Sequence, residues 1–153
     1  MSSVEARLSD MGLTVPDVVA PVAAYVPTVQ TGSLIFTAGQ LPMQDGSLIA
    51  TGKVGGTVSP EQAWQCARIA ALNAVAAVKE AVTDLDRVTR VVKAVVFVAS
   101  DPAFTAQPQV ANGASELLGE AFGDAGLHAR SAVGVAVLPM DAPVEVELTV
   151  EVQ

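Results

Sequence analysis

Aromatic side chains are scarce in this chain, with one Trp, one Tyr and four Phe in 153 residues, and cations are outnumbered by anions, eight to sixteen. There is a single cysteine, Cys66, and a single histidine, His128. Each shortage excludes something. One cysteine forbids an intramolecular disulfide, and one cysteine with one histidine cannot assemble an ordinary Cys/His zinc site. A formal charge of −8, with the basic residues scattered, argues against a nucleic-acid binder, which needs a cationic field to displace phosphate counterions. No apolar run reaches membrane-spanning length, and the N-terminus lacks the basic-then-apolar order of a secretory leader. The expected protein is cytoplasmic, with neither a membrane nor a nucleic acid as partner.

What the chain has in quantity is apolar surface, at 51% of residues against 16% charged. Its length suits one domain rather than two. So much apolar surface is more than one small monomer usually buries, which points to an oligomer. With few aromatics, the core must be built from Val, Ala, Leu and Ile.

Residues 2–11 have the pattern of a short helix, with Val4, Leu8 and Met11 on one stripe and Gly12 as its stop. Pro16, Pro21 and Pro27 then impose an irregular, extended path. Tyr25–Val29 and Ser33–Ala38 read as two short strands joined at Gln30, Thr31 and Gly32, with a break at Gly39-Gln40 and a loop punctuated by Gly46, Gly52, Gly55 and Gly56. Ser59, Pro60 and Gln62 make a capping box with proline at the first helical position. The helix they open carries an apolar stripe through Trp64, Ala67, Ala71, Val75, Val78 and Val82, with Trp64 as a core anchor and Cys66 as a small core side chain. Val88–Ala99 is apolar on both faces, as an interior strand should be. A second helix starts near Pro108, presents Val110, Ala114, Leu117, Ala121 and Phe122, and stops at Gly123. The run from His128 to Gln153 reads as a terminal hairpin around Leu138–Asp141. This order gives an α+β fold with its helices on one face of a sheet. The other face needs cover from neighbouring subunits, in a closed cyclic oligomer with a ligand pocket at the subunit boundary.

Two charges stand out in the terminal strands. Ser131, Val133, Val135 and Val137 alternate with Arg130, Ala132, Gly134 and Ala136, so Arg130 points away from the valine face among small neighbours. A planar cationic fork with room beside it is suited to holding a carboxylate by two parallel hydrogen bonds. Glu145 stands early in the following strand.

The sequence Ala129-Arg130-Ser131-Ala132-Val133, then Leu138-Pro139, then Val144-Glu145-Val146-Glu147, carries a family resemblance in content and spacing. Tyr25-Val26, Thr37-Ala38-Gly39-Gln40, Val96-Phe97-Val98 and Asn112 support it in the same order. Over about residues 20–153 the chain resembles the Rid family of reactive-intermediate deaminases, also called the YjgF family. The resemblance implies a chorismate-mutase-like α+β fold, with residues 21–153 as one domain behind an N-terminal extension of residues 1–20. It implies a homotrimer with clefts between subunits, and hydrolysis of 2-imino acids or their enamine tautomers to 2-oxo acids and ammonia without a cofactor or metal. By that likeness Arg130 holds the carboxylate of a small metabolite, Glu145 positions or activates water, Tyr25 and Asn112 line the cleft, and Gly39 lets backbone approach the ligand. The chain departs from the family pattern at Ala38, where many active members have serine, and at Ala132, where cysteine is common. The N-terminal extension and the longer segment from Val98 to Arg130 also set it apart, as a divergent subgroup.

Blander readings stand beside these. Arg130 and Glu145 also suit an interface salt bridge, the Tyr25 ring suits packing at a boundary, and Asn112 suits a bond to local backbone. His128 reads as a solvated loop residue more readily than as a proton carrier. At the level of function, the alternatives to a deaminase are a non-catalytic trimer that binds small carboxylates and, less compatible with the acidic charge, a ribonuclease.

Overall fold

Ser59 does what its position promises in the computed structural model of the chain, which describes residues 1–21 and 23–153. Its hydroxyl accepts from the Gln62 N–H at 3.1 Å, and the Gln62 side chain accepts from the Ser59 N–H at 2.9 Å. With Pro60 at the first turn, this cap opens helix α2, Pro60–Val82. Helix α3, Gln107–Phe122, presents Val110, Ala114, Leu117, Ala121 and Phe122 to the core and ends at Gly123, whose φ of 62° suits the left-handed stop. Both helices pack on one face of a five-stranded sheet.

The sheet contains β1 (Thr28–Thr31), β2 (Leu34–Thr37), β5 (Val88–Ala99), β6 (Ala129–Val135) and β7 (Val144–Val152), in the spatial order β1-β2-β7-β5-β6. The first hairpin is shifted toward the C-terminus from the expected one. Thr31 pairs with Leu34 across a two-residue turn at Gly32 and Ser33, and Tyr25 lies before the strand, cut off from it by Pro27, which has no N–H to donate. The glycine-rich connection contains a second small hairpin, β3 (Met43–Gln44) with β4 (Ser47–Leu48). Its turn residues Asp45 and Gly46 have φ of 53° and 85°, the left-handed values that an Asp-Gly turn is suited to supply.

The expected terminal hairpin does not form. β6 and β7 flank β5 instead, β6 running parallel to it and β7 antiparallel. The reason is the crossover: α3 lies between β5 and β6 in the chain, which is the connection a parallel pair requires. The link from β6 to β7, with Met140 and Asp141 at φ 59° and 58°, then carries the chain across β5 rather than back along β6. β5 is thus an interior strand, as its apolar character on both faces suggests.

The core is made of small and branched side chains. Ala63, Ala67, Ala70, Ala71, Ala74 and Ala77 of α2 are buried, together with Val96, Val98, Val146, Leu148 and Val150 of the sheet. Each fully buried Val or Leu contributes about 1.5–3 kcal/mol. Trp64 is not among the core residues; it is half-buried, with the Arg68 guanidinium 5.5 Å from its ring centre. Helix α1, Ser3–Asp10, joins the same core through Val4 and Leu8. Its N-terminus is fastened by Asp86, whose carboxylate accepts from Ser3 and Val4 and is held below the usual carboxylate range by those bonds, chiefly the Ser3 N–H. Arg7 donates to the Ala121 carbonyl of α3 at 3.0 Å.

Among the described residues, no helix or strand lies on the face of the sheet away from α2 and α3. Val29, Phe36 and Val133 are exposed there, with Val95 and Phe97 half-buried among Lys93, Glu147 and Thr149.

Gly113 sets the approach of α3 to α2: a Cβ built at this position would lie 2.1 Å from the Trp64 carbonyl oxygen. Alanine favours a helix over glycine by about 1 kcal/mol, but forcing backbone apart in a packed core costs about 1–3 kcal/mol. Gly113→Ala is therefore expected to be net destabilising by chemical denaturation. A stabilised variant would show that the close approach carries no cost.

Candidate functional site

The register of β5 with its neighbours decides which face each charged side chain occupies. Arg130 of β6 is opposite Ala94, and Ala94 is opposite Leu148 of β7. Ala94 and Leu148 are buried beneath the helices, so Arg130 stands on the helix-bearing side, at the sheet edge, with Ala132 and Gly134. This is the side away from Val133 and Val135, as the alternation in the sequence predicts.

Helix α3 reaches Arg130 from above. Its Nη1 donates to Asn112 Oδ1 at 2.7 Å and to Ser115 Oγ at 3.2 Å. Asn112 therefore bonds Arg130 and not local backbone. Ser115 lies one turn further along α3, on the face Asn112 occupies, and was not anticipated; its i,i+3 spacing from Asn112 is the signal that marks it. Among the described residues, all of Arg130's hydrogen bonds run through Nη1, so Nε and Nη2 have no protein partner. His128, expected to be solvated, is half-buried, with one ring nitrogen 2.9 Å from Ser115 Oγ and the other 2.6 Å from the Gly126 carbonyl.

Glu145 of β7 is opposite Phe97, three positions along β5 from Ala94, and so lies on the other face of the sheet. Within one chain it forms no pair with Arg130, and the ion pairs among the described residues are Lys53–Asp141 and Lys79–Glu5. Gln40 extends the ladder past β2 by exchanging two backbone hydrogen bonds with Val146, at 2.8 and 2.9 Å. That pairing brings Gly39 against Glu145: a Cβ on Gly39 would stand 2.2 Å from Glu145 Oε1. Glycine at position 39 is thus what admits the carboxylate. Tyr25 and Gly39 both line a hollow of about 140 Å³, walled by Pro27, Leu41, Met43 and Met140 and by Val19 and Pro21 of the N-terminal segment. Burial, and secondarily the neighbouring Glu147 carboxylate, push the Glu145 carboxyl above its ordinary range.

The predicted residues therefore fall into two groups. In one, Gly39 lies against Glu145 on one side and shares the hollow with Tyr25 on the other; Arg130 and Asn112, joined by Ser115 and His128, form the other, across the sheet. Cys66 is buried in α2, where burial pushes its thiol up to about 11, consistent with a core role. Among the described residues, no three His, Cys, Asp or Glu side chains converge as metal ligands, and no helix is long and apolar enough to cross a membrane.

The chain as a whole is similar to known proteins. Residues 5–152 match the family described as YjgF/chorismate mutase-like, putative endoribonuclease. The Trypanosoma cruzi protein TCP17 is 46% identical over 149 residues, covering 97% of this chain and 93% of that protein. The crystal structure of Agrobacterium tumefaciens Atu1372, of unknown function, is 43% identical and superposes with a TM-score of 0.94 over 99% of this chain and 93% of its own. Escherichia coli TdcF, solved with bound serine, is 26% identical at a TM-score of 0.63, covering 91% and 94%.

The raised Glu145 carboxyl has a consequence for stability. A carboxyl whose pKa rises on folding binds more protons folded than unfolded, so its contribution is favourable below the ordinary value of 4.5 and is lost as pH climbs through the raised one. Glu145→Gln is expected to melt above the parent at pH 7, with the difference closing at about pH 4 and below. Equal melting temperatures across that range would mean that Glu145 is fully solvated.

Proposed function

The chain belongs to the YjgF/chorismate mutase-like family, and we propose that it hydrolyses reactive 2-imino acids, or their enamine tautomers, to 2-oxo acids and ammonia. The observation that carries this reading is the state of Arg130: Asn112 and Ser115 engage Nη1 from behind, while Nε and Nη2 remain for a ligand. Those two donors form the edge of the guanidinium that matches a carboxylate. A substrate anchored there needs water delivered to its C2. Glu145 is the proposed base, its raised carboxyl bringing it closer to the neutral range in which a base works best.

The chemistry balances without an added reactant. Water oxygen bonds to C2 of the protonated imine while Glu145 takes a water proton, giving a carbinolamine. The proton then passes from Glu145 to nitrogen, the C–N bond breaks as the C=O forms, the hydroxyl proton returns to Glu145, and ammonia leaves, taking that proton as ammonium. Because Arg130 and Glu145 are on opposite faces of one sheet, the proposed site joins the Arg130 group of one copy to the Glu145 group of another, in a homotrimer with clefts between subunits. Exposed Val29, Phe36 and Val133 support such an assembly. Apolar walls beside Tyr25 and Gly39 favour substrates with an apolar side chain.

A second reading, a trimer that binds small carboxylates without turnover, is favoured by Ala38, which offers no hydroxyl beside Gly39. An endoribonuclease is the less compatible reading at a charge of −8.

Imines generated in situ by an amino-acid oxidase distinguish these readings. The parent is expected to accelerate release of the 2-oxo acid. Arg130→Ala should lose about a hundredfold or more in kcat/KM, and Glu145→Gln about 10²–10⁴-fold in kcat. Tight binding of pyruvate at the uncatalysed rate would instead establish the binding trimer, and cleavage of RNA without imine turnover would establish the ribonuclease.

A further inference from the structure

The half-site around Arg130 has a direction built into its hydrogen bonds. The Gly126 carbonyl can only accept, so the 2.6 Å contact puts a proton on His128 Nδ1. The network closes when the imidazole carries only that proton: Nε2 then offers a lone pair, and Ser115 Oγ, 2.9 Å away, gives it its one hydrogen. With that hydrogen committed, the Ser115 oxygen has only lone pairs to offer Arg130 Nη1 at 3.2 Å. Asn112 Oδ1 accepts from the same nitrogen at 2.7 Å. The two hydrogens of Nη1 are thus both taken, which fixes the plane of the guanidinium.

From this geometry we infer that His128, acting through Ser115, is a positioning residue that presents the Nε–Nη2 edge of Arg130 to the substrate carboxylate. The inference rests on the proposed carboxylate-binding role of Arg130. A serine within a helix otherwise turns its hydroxyl to the carbonyl four residues back, here Ala111, or rotates freely. An acceptor at His128 Nε2 withdraws that option. Gly126 is itself fixed, since a Cβ there would lie 2.2 Å from the Leu118 carbonyl oxygen of α3, leaving no space for a side chain. The chain of contacts therefore runs from helix backbone, through Gly126, His128 and Ser115, to the guanidinium. It also explains why a histidine two residues before Arg130, on the same side of the chain, is drawn out of solvent.

Two measurements test this on the full-length protein. The first needs no ligand: ¹⁵N NMR of the imidazole and of the Arg130 guanidinium. A neutral Nδ1–H tautomer and slow guanidinium rotation are expected, with rotation freed in Ser115→Ala and in His128→Ala. An Nε2–H tautomer, or rotation unchanged in both variants, overturns the inference whether or not the protein is a deaminase. The second is the calorimetric affinity for pyruvate together with KM and kcat for an in situ imine. Ser115→Ala and His128→Ala should each weaken pyruvate and raise KM about five- to tenfold, with kcat within about twofold. Ser115→Thr, which keeps the hydroxyl, and His128→Gln, which keeps an acceptor near Nε2, should recover most of the loss. Variants that melt lower yet bind pyruvate as the parent does would show a merely structural network. A parent that binds no pyruvate and turns over no imine would refute the proposed function, leaving the NMR result to decide the network by itself.

Discussion

The pairing of β5 with β6 on one side and β7 on the other is the constraint from which the functional layout follows. Side chains alternate between faces with a period of two, so a shift of one residue in either register would move every group on that strand to the opposite face. In the register observed, Arg130 aligns with Ala94 and Glu145 with Phe97. The odd separation of those partners puts the cation under α3 and the carboxylate on the uncovered face. One copy of the chain therefore carries the two halves of the proposed site on opposite faces of its sheet.

Each half of the proposed site depends on a place where backbone comes unusually close. Gly39 makes room for the Glu145 carboxylate, and Gly126 lies against the α3 backbone so that its carbonyl can hold His128. Gly113 performs the same service between α2 and α3, drawing α3 down to where Asn112 and Ser115 reach Arg130. In a core poor in aromatics, alanine and glycine at helix contacts permit short interaxial distances, and the position of the guanidinium is inherited from that packing.

Much of this was legible in the sequence, and what was not has physical reasons. Period-2 alternation gave the side on which Arg130 stands, and the capping residues located the start of α2. The family resemblance singles out Arg130, Glu145, Tyr25, Gly39 and Asn112 as candidates, but no periodicity argument reveals that they fall into two separate groups. That follows from strand order, which is non-local: adjacency in sequence suggested a terminal hairpin, whereas α3 makes β6 a parallel partner of β5. The burial of His128 does not follow from its place in a loop; it follows from the Arg130 side of the chain that it shares. Trp64 shares the apolar stripe of α2 yet stays half-buried, because a helical stripe alone does not reveal where the neighbouring helix ends. The Asp45-Gly46 turn was visible as a dipeptide, yet the flanking strands are two residues each, too short for a pattern.

The central claim is that Arg130 of one copy and Glu145 of another act on the same substrate molecule. Mixing tests it most directly: Arg130→Ala and Glu145→Gln chains are unfolded together, refolded as mixed oligomers and assayed for imine hydrolysis. Random assembly of equal amounts should place an intact Arg130 opposite an intact Glu145 at about a quarter of the interfaces, restoring about that fraction of parental activity. Mixed oligomers of verified composition with no more activity than the two variants alone would contradict the account.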